Sequence, residues 1–575
     1  MLEVAQYFGY LMNILSLMRK IPGKYYLMLV FAAYAVVFSS FFLFSLFPSQ
    51  DGAAHINSAF ILDYLDKGDP FFLSYFTRTP AQFTNWVAGA ILSVFIHVIP
   101  INHVEMLFVF LYACLMMLSV IFSLKFCFRV NPLLSVFFLP LVFSQTLHMG
   151  SFNYCLGYSF FPLLIGLCYL YLQRPSYVKV ILISAFLLFM YCIHIQIAAI
   201  GAGFVFGFAA WPIILRLVFG LRPMRQVILG EKQRVPQISD GLTLAVACLP
   251  VIIASVMFMT NNQGIANDPS YSGFLNRISH LLILRGIASY SAFGLFIAFL
   301  MACCLLGGIA LTVRDVLRSY RPSSIDPCIF CVMGLVALCL FVPEGIGEIQ
   351  DIEDRVMIPM LMALLCWLFV RREDLWLQPT AILLVFVLIL GQGVDRFIAW
   401  SAINKNFREY SEVISAIPDK QAIYSMDFDT ISTCANQKSI VEPFKVYTRF
   451  LPYMHFLGYV IADRAIANVG NYEAHFRNPY FPLKFSDEFR RISADAELPE
   501  FVRSKNPVQN IEAFVAIMKD ERARPVSYLL IWNSIPSCPF VPVETEIMDS
   551  VQKNYDLVFS SSNKRVSLYK MKRLD

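Results

Sequence analysis

The sequence predicts a polytopic α-helical membrane protein of about eleven crossings, followed by a C-terminal soluble α/β domain. Three observations carry that expectation. Of the 575 residues, 58% are hydrophobic and only 15% are charged, a balance that excludes an ordinary soluble enzyme. Apolar stretches close to the length that crosses a bilayer recur up to about residue 395. Basic residues gather in alternate loops, and beyond residue 395 the composition turns soluble.

The spans fall near residues 27–47, 104–124, 132–148, 155–173, 178–196, 198–217, 242–260, 288–313, 327–343, 356–370 and 376–394. With the N-terminus cytoplasmic, the inner segments carry Arg19, Lys20, Lys24, Lys125, Arg129, Arg174, Lys179, Arg216, Arg222, Arg225, Lys232, Arg234, Arg314, Arg318, Arg321, Arg371 and Arg372. The outer segments carry only Lys67, Arg78, Arg277, Arg285 and Arg355. This is the positive-inside pattern, and an odd number of crossings then places the C-terminal domain outside. The net charge of +5 is mostly this topological signal, which leaves no case for nucleic acid as a partner.

Residues 1–26 read as a cytoplasmic interfacial helix, with Val4, Tyr7, Phe8, Leu11, Ile14, Leu15 and Met18 at helical spacing. The first span has no small-residue cleavage pattern and is expected to remain as an anchor. Residues 27–395 form the transmembrane module, interrupted by a long outer loop, 48–103. The stretch Trp86–Ile99 is apolar, but its 14 residues are short for a crossing. If it crossed, it would move the cluster from Arg216 to Arg234 outside, so it is assigned as a juxtamembrane helix. The loop is expected to hold one helix from Ala54 to Leu65 and another resuming near Thr84.

Residues 396–575 read as an extracytoplasmic α/β domain. Phe397–Ile417 and Ile511–Lys519 suit helices, Ala422–Met426 and Ser527–Trp532 suit buried strands, and Tyr555–Phe559 with Arg565–Tyr569 suits a terminal hairpin. The aromatic segment Tyr447–Tyr480, with His455, Arg464, His475 and Arg477, either covers the active cavity or docks against the membrane module. Most of the 14 cysteines lie in or beside apolar spans, where Cys is a small hydrophobe. Cys328 and Cys331 read as packing. Cys434 and Cys538 lie in the outer domain, where an oxidising compartment leaves one disulfide open.

Asp51 stands just beyond the first span, after Pro48 and before Gly52, which permits a turn, with His55 one helical turn on. A carboxylate at the membrane face can act as a general base toward a hydroxyl. It can also cap the helix that follows, and position alone favours that role. Other polar residues gather at the same predicted depth: His148, Ser151 and Asn153; His194 and Gln196; Asn261, Asn262 and Gln263; and Glu344, Glu348, Asp351, Glu353, Asp354 and Arg355. Each alone suits a solvated helix end. Together they favour an outward-facing cavity, whereas a transporter would place polar groups and helix breaks nearer the midplane.

Several segments resemble the GT-C glycosyltransferases, integral-membrane enzymes that use polyprenyl-phosphate-linked sugars. They are Gln50-Asp51-Gly52-Ala53-Ala54-His55, Gly150-Ser151-Phe152-Asn153-Tyr154-Cys155-Leu156-Gly157 and Glu353-Asp354-Arg355-Val356-Met357-Ile358-Pro359. They look like those of a poorly characterised bacterial branch. Many members carry paired acidic residues in the first loop, whereas here Asp51 is followed by Gly52. The resemblance implies a GT-C-like fold in the bacterial inner membrane. It also implies inverting transfer of a sugar from a polyprenyl-phosphate donor to a hydroxyl of a glycan, lipid or protein, with Asp51 as base. The leaving phosphate then needs cationic or hydrogen-bonding groups. Arg355 is the first candidate, since a guanidinium suits phosphate; its other role is an interface anchor paired with Asp351 or Asp354. His55, His148 and His194 could orient Asp51 or contact the donor phosphate, and Asn153 and Asp354 are further donor-binding candidates. No cofactor is expected, although the acidic run from Glu344 to Asp354 leaves a divalent cation open. The alternatives are an O-antigen ligase or polymerase, which would lean on outer Arg and His residues, and a transporter or flippase.

Overall fold

The computed structural model describes residues 23–80, 83–219, 236–261, 273–318, 322–343, 352–427, 455–462, 464–474, 482–486, 526–532, 542–562 and 564–572. Most of the N-terminal interfacial segment lies outside them. So do Asn262, Gln263, Glu344, Glu348, Asp351, Cys434, Cys538, His475, Arg477 and the predicted helix Ile511–Lys519. The chain separates into two compact units: residues 1–43, 110–146 and 153–397, and residues 44–109, 147–152 and 398–575.

The first unit is helical, and each predicted span coincides with helical structure. Among the described residues, six helices are long and apolar enough to cross a membrane: Ile101–Phe128, Phe152–Gln173, Ile195–Leu217, Ile238–Thr260, Ala292–Arg318 and Pro379–Lys405. Leu27–Leu43, Pro132–Leu141, Tyr177–Ile193 and Pro327–Phe341 are shorter apolar helices. The chain is an integral membrane protein. The third predicted span is no α-helix: Pro132–Leu141 is a 3₁₀ helix opened by Pro132, with Asn131 accepting from Leu133 N at 3.0 Å. Pro140 lies inside it and has no N–H for an α-helical bond. The tighter coil rises about 2 Å per residue, so ten residues reach roughly 20 Å. The helix Ile352–Trp376 carries Glu353, Asp354 and Arg355 in its first turn and kinks at Arg372.

Two buried carboxylates of this unit have hydrogen-bond donors, as a hydrocarbon setting demands. Asp326 accepts from Trp367 Nε1 at 3.1 Å and from Arg371 Nε at 2.8 Å. Asp395 accepts from Tyr290 N at 2.8 Å.

The second unit joins the first loop to the C-terminal segment through one hydrophobic core. Ile61, Leu65, Phe72, Tyr75 and Phe76 pack with Tyr424, Leu529, Ile531, Tyr555 and Tyr569. The predicted loop helix is Gly52–Asp66, and the chain becomes helical again at Val87–Phe95. Between them lies a short helix, Pro70–Tyr75, which the sequence reading omitted. Asp69 caps it by accepting from Phe71 N at 2.8 Å, and Pro70 occupies its first turn. The strand β1, Phe76–Arg78, follows.

Beyond the helix Pro379–Ile414, which absorbs most of the predicted separate helix Phe397–Ile417, come β2 (Gln421–Asp427), β3 (Ile466–Asn468), β4 (Leu483–Phe485), β5 (Tyr528–Trp532), β6 (Tyr555–Ser560) and β7 (Val566–Met571). Five of these form a sheet of order β3-β2-β5-β7-β6. Both neighbours of β2 run parallel to it, and β7 is antiparallel to β5 and to β6. Every residue of β5 is buried, which explains its unbroken apolar run. The predicted strands and terminal hairpin are present. The pairing of β1 with β4, Phe76 opposite Phe485, joins positions 409 apart and had no local sequence signal. The fold class is therefore the predicted one: a polytopic helical membrane protein with a C-terminal α/β region.

Candidate functional site

In the second unit, residues 47–52 are set by backbone contacts before any side chain faces outward. Gln50 N donates to His148 O at 2.8 Å, and His148 Nδ1 lies 2.8 Å from Pro48 O. The His148 ring stacks on Phe47 at 4.7 Å and is fully buried. Ser49 Oγ accepts from Gly52 N at 3.0 Å, so Ser49 takes the first orphan donor of the helix Gly52–Asp66. Asp51 makes no side-chain cap bond. The carboxylate that the sequence offered as a cap is thus relieved of capping, although the helix dipole still favours its charge.

Two glycines admit this geometry. Gly150 has φ +86°, and a Cβ there would lie 2.7 Å from Asp51 Cβ. Gly52 is not a turn residue, as the sequence had suggested; it begins the helix and makes room for Glu105, whose Oε1 would lie 1.9 Å from a Cβ at that position.

The Asp51 side chain is 24% exposed. His455 Nε2 lies 3.6 Å from its Oδ1, and the side chains of Gln50 and Tyr472 hydrogen-bond to it. The Tyr472 and His455 rings lie 4.8 Å apart. Burial raises the Asp51 carboxyl to about 6, against the opposing pull of the His55 cation.

His55 follows one turn later, its N–H donating to Asp51 O at 3.1 Å. Its Nδ1 pairs with Glu473, and its Nε2 lies 2.9 Å from Gly150 O. Burial opposes its charge, but Glu473, Asp51 and the Gly150 carbonyl outweigh burial and raise it to about 9. Glu473 sits on the 3₁₀ turn Tyr472–Ala474 and is 1% exposed. Lys484 on β4 feels the same carboxylate, but burial holds it down at about 8.

The first unit gathers a second polar cluster. Asp354 is buried and lies 3.3 Å from Arg285 Nη2, while Glu353 Oε2 lies 3.2 Å from His280 Nδ1. Arg355 Nη1 donates to Gln196 Oε1 at 2.9 Å, and its guanidinium lies 5.7 Å from the Tyr154 ring centroid. Tyr154 OH donates to Arg355 O at 2.6 Å. The pairing of Arg355 with Asp351 or Asp354 offered by the sequence is accordingly replaced, for Asp354, by a pair with Arg285. His194 joins two helices: its Nδ1 accepts from Gln196 N at 3.1 Å, and its ring meets Tyr154 edge-on at 5.1 Å. Asn153 is half-buried in the first turn of the helix Phe152–Ser159.

His55 has an acceptor at each ring nitrogen, and the buried His148 sets its Nδ1 against the Pro48 carbonyl, so both pack against the Asp51 segment, a placement compatible with the orienting role offered for them. The sequence reading missed Glu473, Tyr472 and Lys484, which come from remote segments. It also missed Glu105, which left one legible trace as a carboxylate inside an apolar helix. Among the described residues, no group of three or more His, Cys, Asp or Glu side chains is arranged to hold a metal ion.

The fold is similar to that in the crystal structure of ArnT from Cupriavidus metallidurans bound to undecaprenyl phosphate, with a TM-score of 0.51 and 10% identity over 96% of this chain and 98% of that one. No protein-family model matches the sequence, and no curated protein does. At that identity the likeness is one of fold alone.

Proposed function

We propose that this chain is an integral-membrane glycosyltransferase that moves a sugar from a polyprenyl-phosphate donor to a hydroxyl acceptor at the outer membrane face. Asp51 is its general base. The observation that carries this reading is the state of Asp51: it does not cap its helix, is partly exposed, and is raised by burial to about 6. A base of that strength is ionised at neutral pH yet still accepts a proton in a transition state. The ArnT-like fold supports the donor class, since the ArnT crystal holds undecaprenyl phosphate.

In the proposed reaction an Asp51 oxygen takes the proton of the acceptor hydroxyl as the acceptor's own oxygen attacks the anomeric carbon. The bond from that carbon to the phosphate oxygen breaks on the opposite face, its electrons leave with the lipid phosphate, and configuration inverts. In the membrane unit, Arg355 is proposed to hold a lipid phosphate, with Asn153 and His194 flanking it; a guanidinium presents parallel donors to phosphate oxygens. The proposed setting is a bacterial inner membrane, with the N-terminus cytoplasmic and the C-terminal region extracytoplasmic. The test is transfer from a panel of polyprenyl-phosphate sugars by purified protein and by Asp51→Asn at matched folding. Turnover that the substitution eliminates supports the reading, and turnover that survives it removes Asp51 as base.

A further inference from the structure

The His55 ring lies between two groups that only accept hydrogen bonds. Its Nδ1 faces the Glu473 carboxylate, and its Nε2 lies 2.9 Å from the Gly150 carbonyl oxygen. A neutral imidazole carries one N–H and would leave one of these contacts as acceptor against acceptor; the imidazolium satisfies both. Glu473, at 1% exposure, needs a counter-ion of its own, because a buried carboxylate without one is strongly destabilising.

The turn that carries Glu473 is held in place. Glu473 N donates to Asn471 Oδ1 at 3.1 Å, and Asn471 Nδ2 donates to Ser58 Oγ at 2.8 Å and lies 3.4 Å from Asn57 Oδ1. Asn471, Asn57 and Ser58 are all buried. The latch ties the turn to the same helix that bears His55, one turn beyond His55, while Tyr472 on the turn reaches Asp51. One short segment thus delivers a phenol to the base and a carboxylate to the base's cationic neighbour.

We infer that Glu473 is a positioning residue that holds His55 as a fixed imidazolium beside Asp51, so that the C-terminal segment completes the base site begun in the first loop. Its consequence for turnover rests on the proposed role of Asp51. With both N–H groups engaged, His55 acts through its charge, which keeps a partly buried Asp51 ionised. Among the described residues, the other titratable groups around the ring are Asp51 on its own helix, Glu105 from the helix Ile101–Phe122, His455, Tyr472 on the Glu473 turn, and Lys484 on β4, which senses Glu473. The His55 cation pairs with Glu473 and acts through space on Asp51 and Glu105.

The test is nitrogen NMR of histidine-labelled protein in nanodiscs, with the His55 signal assigned by its loss in His55→Gln. At pH 7.5 the wild type is expected to show both ring nitrogens protonated, and Glu473→Gln to show a neutral ring at that pH. Glu473→Asp, which keeps the charge, is expected to restore the cation. A singly protonated His55 in the wild type overturns the inference by itself, even if the variants fail to fold. So does an unchanged cation in folded Glu473→Gln. In a transfer assay, Glu473→Gln is expected to move the acid limb of kcat/KM to higher pH while leaving the KM for the lipid donor in place. Loss of the His55 charge, which lowers Asp51, outweighs relief from Glu473, which raises it. An unmoved acid limb counts against the inference. Absent wild-type turnover counts against the glycosyltransferase reading alone, because the spectra need no substrate.

Discussion

Asp51 and Asp354 both stand at the start of a helix, where the dipole favours a carboxylate, and their surroundings differ. Asp354 is 2% exposed and lies 3.3 Å from the Arg285 guanidinium. Asp51 is 24% exposed, faces the His455 ring at 3.6 Å, and has ceded the capping role to Ser49. A close guanidinium locks a carboxylate in its charged form and makes it part of the scaffold. A carboxylate left at a wet edge and raised by burial keeps its basicity. In the first unit the Gln196 amide and the Tyr154 ring are among the groups that meet the cation Arg355.

The largest expected effect breaks this comparison outright if it fails. Asp51→Asn is expected to lower kcat by about 10²- to 10⁴-fold, the usual contribution of a general base, measured in the transfer assay. The same substitution is expected to leave the fold as stable or more so at pH 7.5. The Asp51 carboxyl is raised from 3.8 to about 6 in the fold, so native stability falls as pH rises from 3.8 to about 6 and the full cost stands above that, which an amide avoids. The gain is on the order of 1–3 kcal/mol, readable as a higher melting temperature that shrinks as the pH is lowered toward 4.

Asp354→Asn is expected to do the reverse, because it strips a buried guanidinium of its charge partner. A loss of about 3–5 kcal/mol, read by thermal unfolding in detergent or nanodiscs, would match the scaffold reading; an unaltered melting temperature would contradict it. Gly150→Ala places a methyl group against Asp51 at a backbone φ of +86°. Strain of about 1–2 kcal/mol together with a displaced Asp51 is expected, visible as lowered kcat with little change in KM.

Arg355→Lys keeps the charge but loses the planar fork, so a donor KM raised about tenfold, roughly 1.4 kcal/mol, is expected. An unchanged donor KM would return Arg355 to a purely structural role. The smallest effect is in pH: kcat/KM is expected to fall by about half at pH 6 and then about tenfold per further pH unit below it, as Asp51 takes up its proton. A profile flat to pH 5 would detach Asp51 from the rate.

The two units were unequally legible. In the membrane unit a span announces itself, because a stretch of about twenty apolar residues is both the signal and the structure. Helix type departs from expectation where proline intervenes, at Pro132 and Pro140, and at the π-helical segment Ser123–Phe128. In the second unit, β2, β5 and the β6–β7 hairpin were readable from apolar and β-branched runs, and the helix after Asp51 from its composition. The helix at Pro70 was signalled by Asp69 and Pro70 and passed over. The β1–β4 pairing could not be read, since three residues per strand carry no register.

The site divides the same way. Position after an apolar span and before a helix singled out Asp51 but by itself favoured the cap over the base. The hydroxyl of Ser49 decided between them by reaching Gly52 N, a matter of tenths of an ångström that no residue spacing encodes. By itself the sequence determined that this chain spans a membrane and which carboxylate to suspect, because hydropathy and charge act locally along the chain. Only the tertiary structure decided that Glu473, more than four hundred residues away, meets His55. A buried charge is tolerated only where the whole fold supplies its partner.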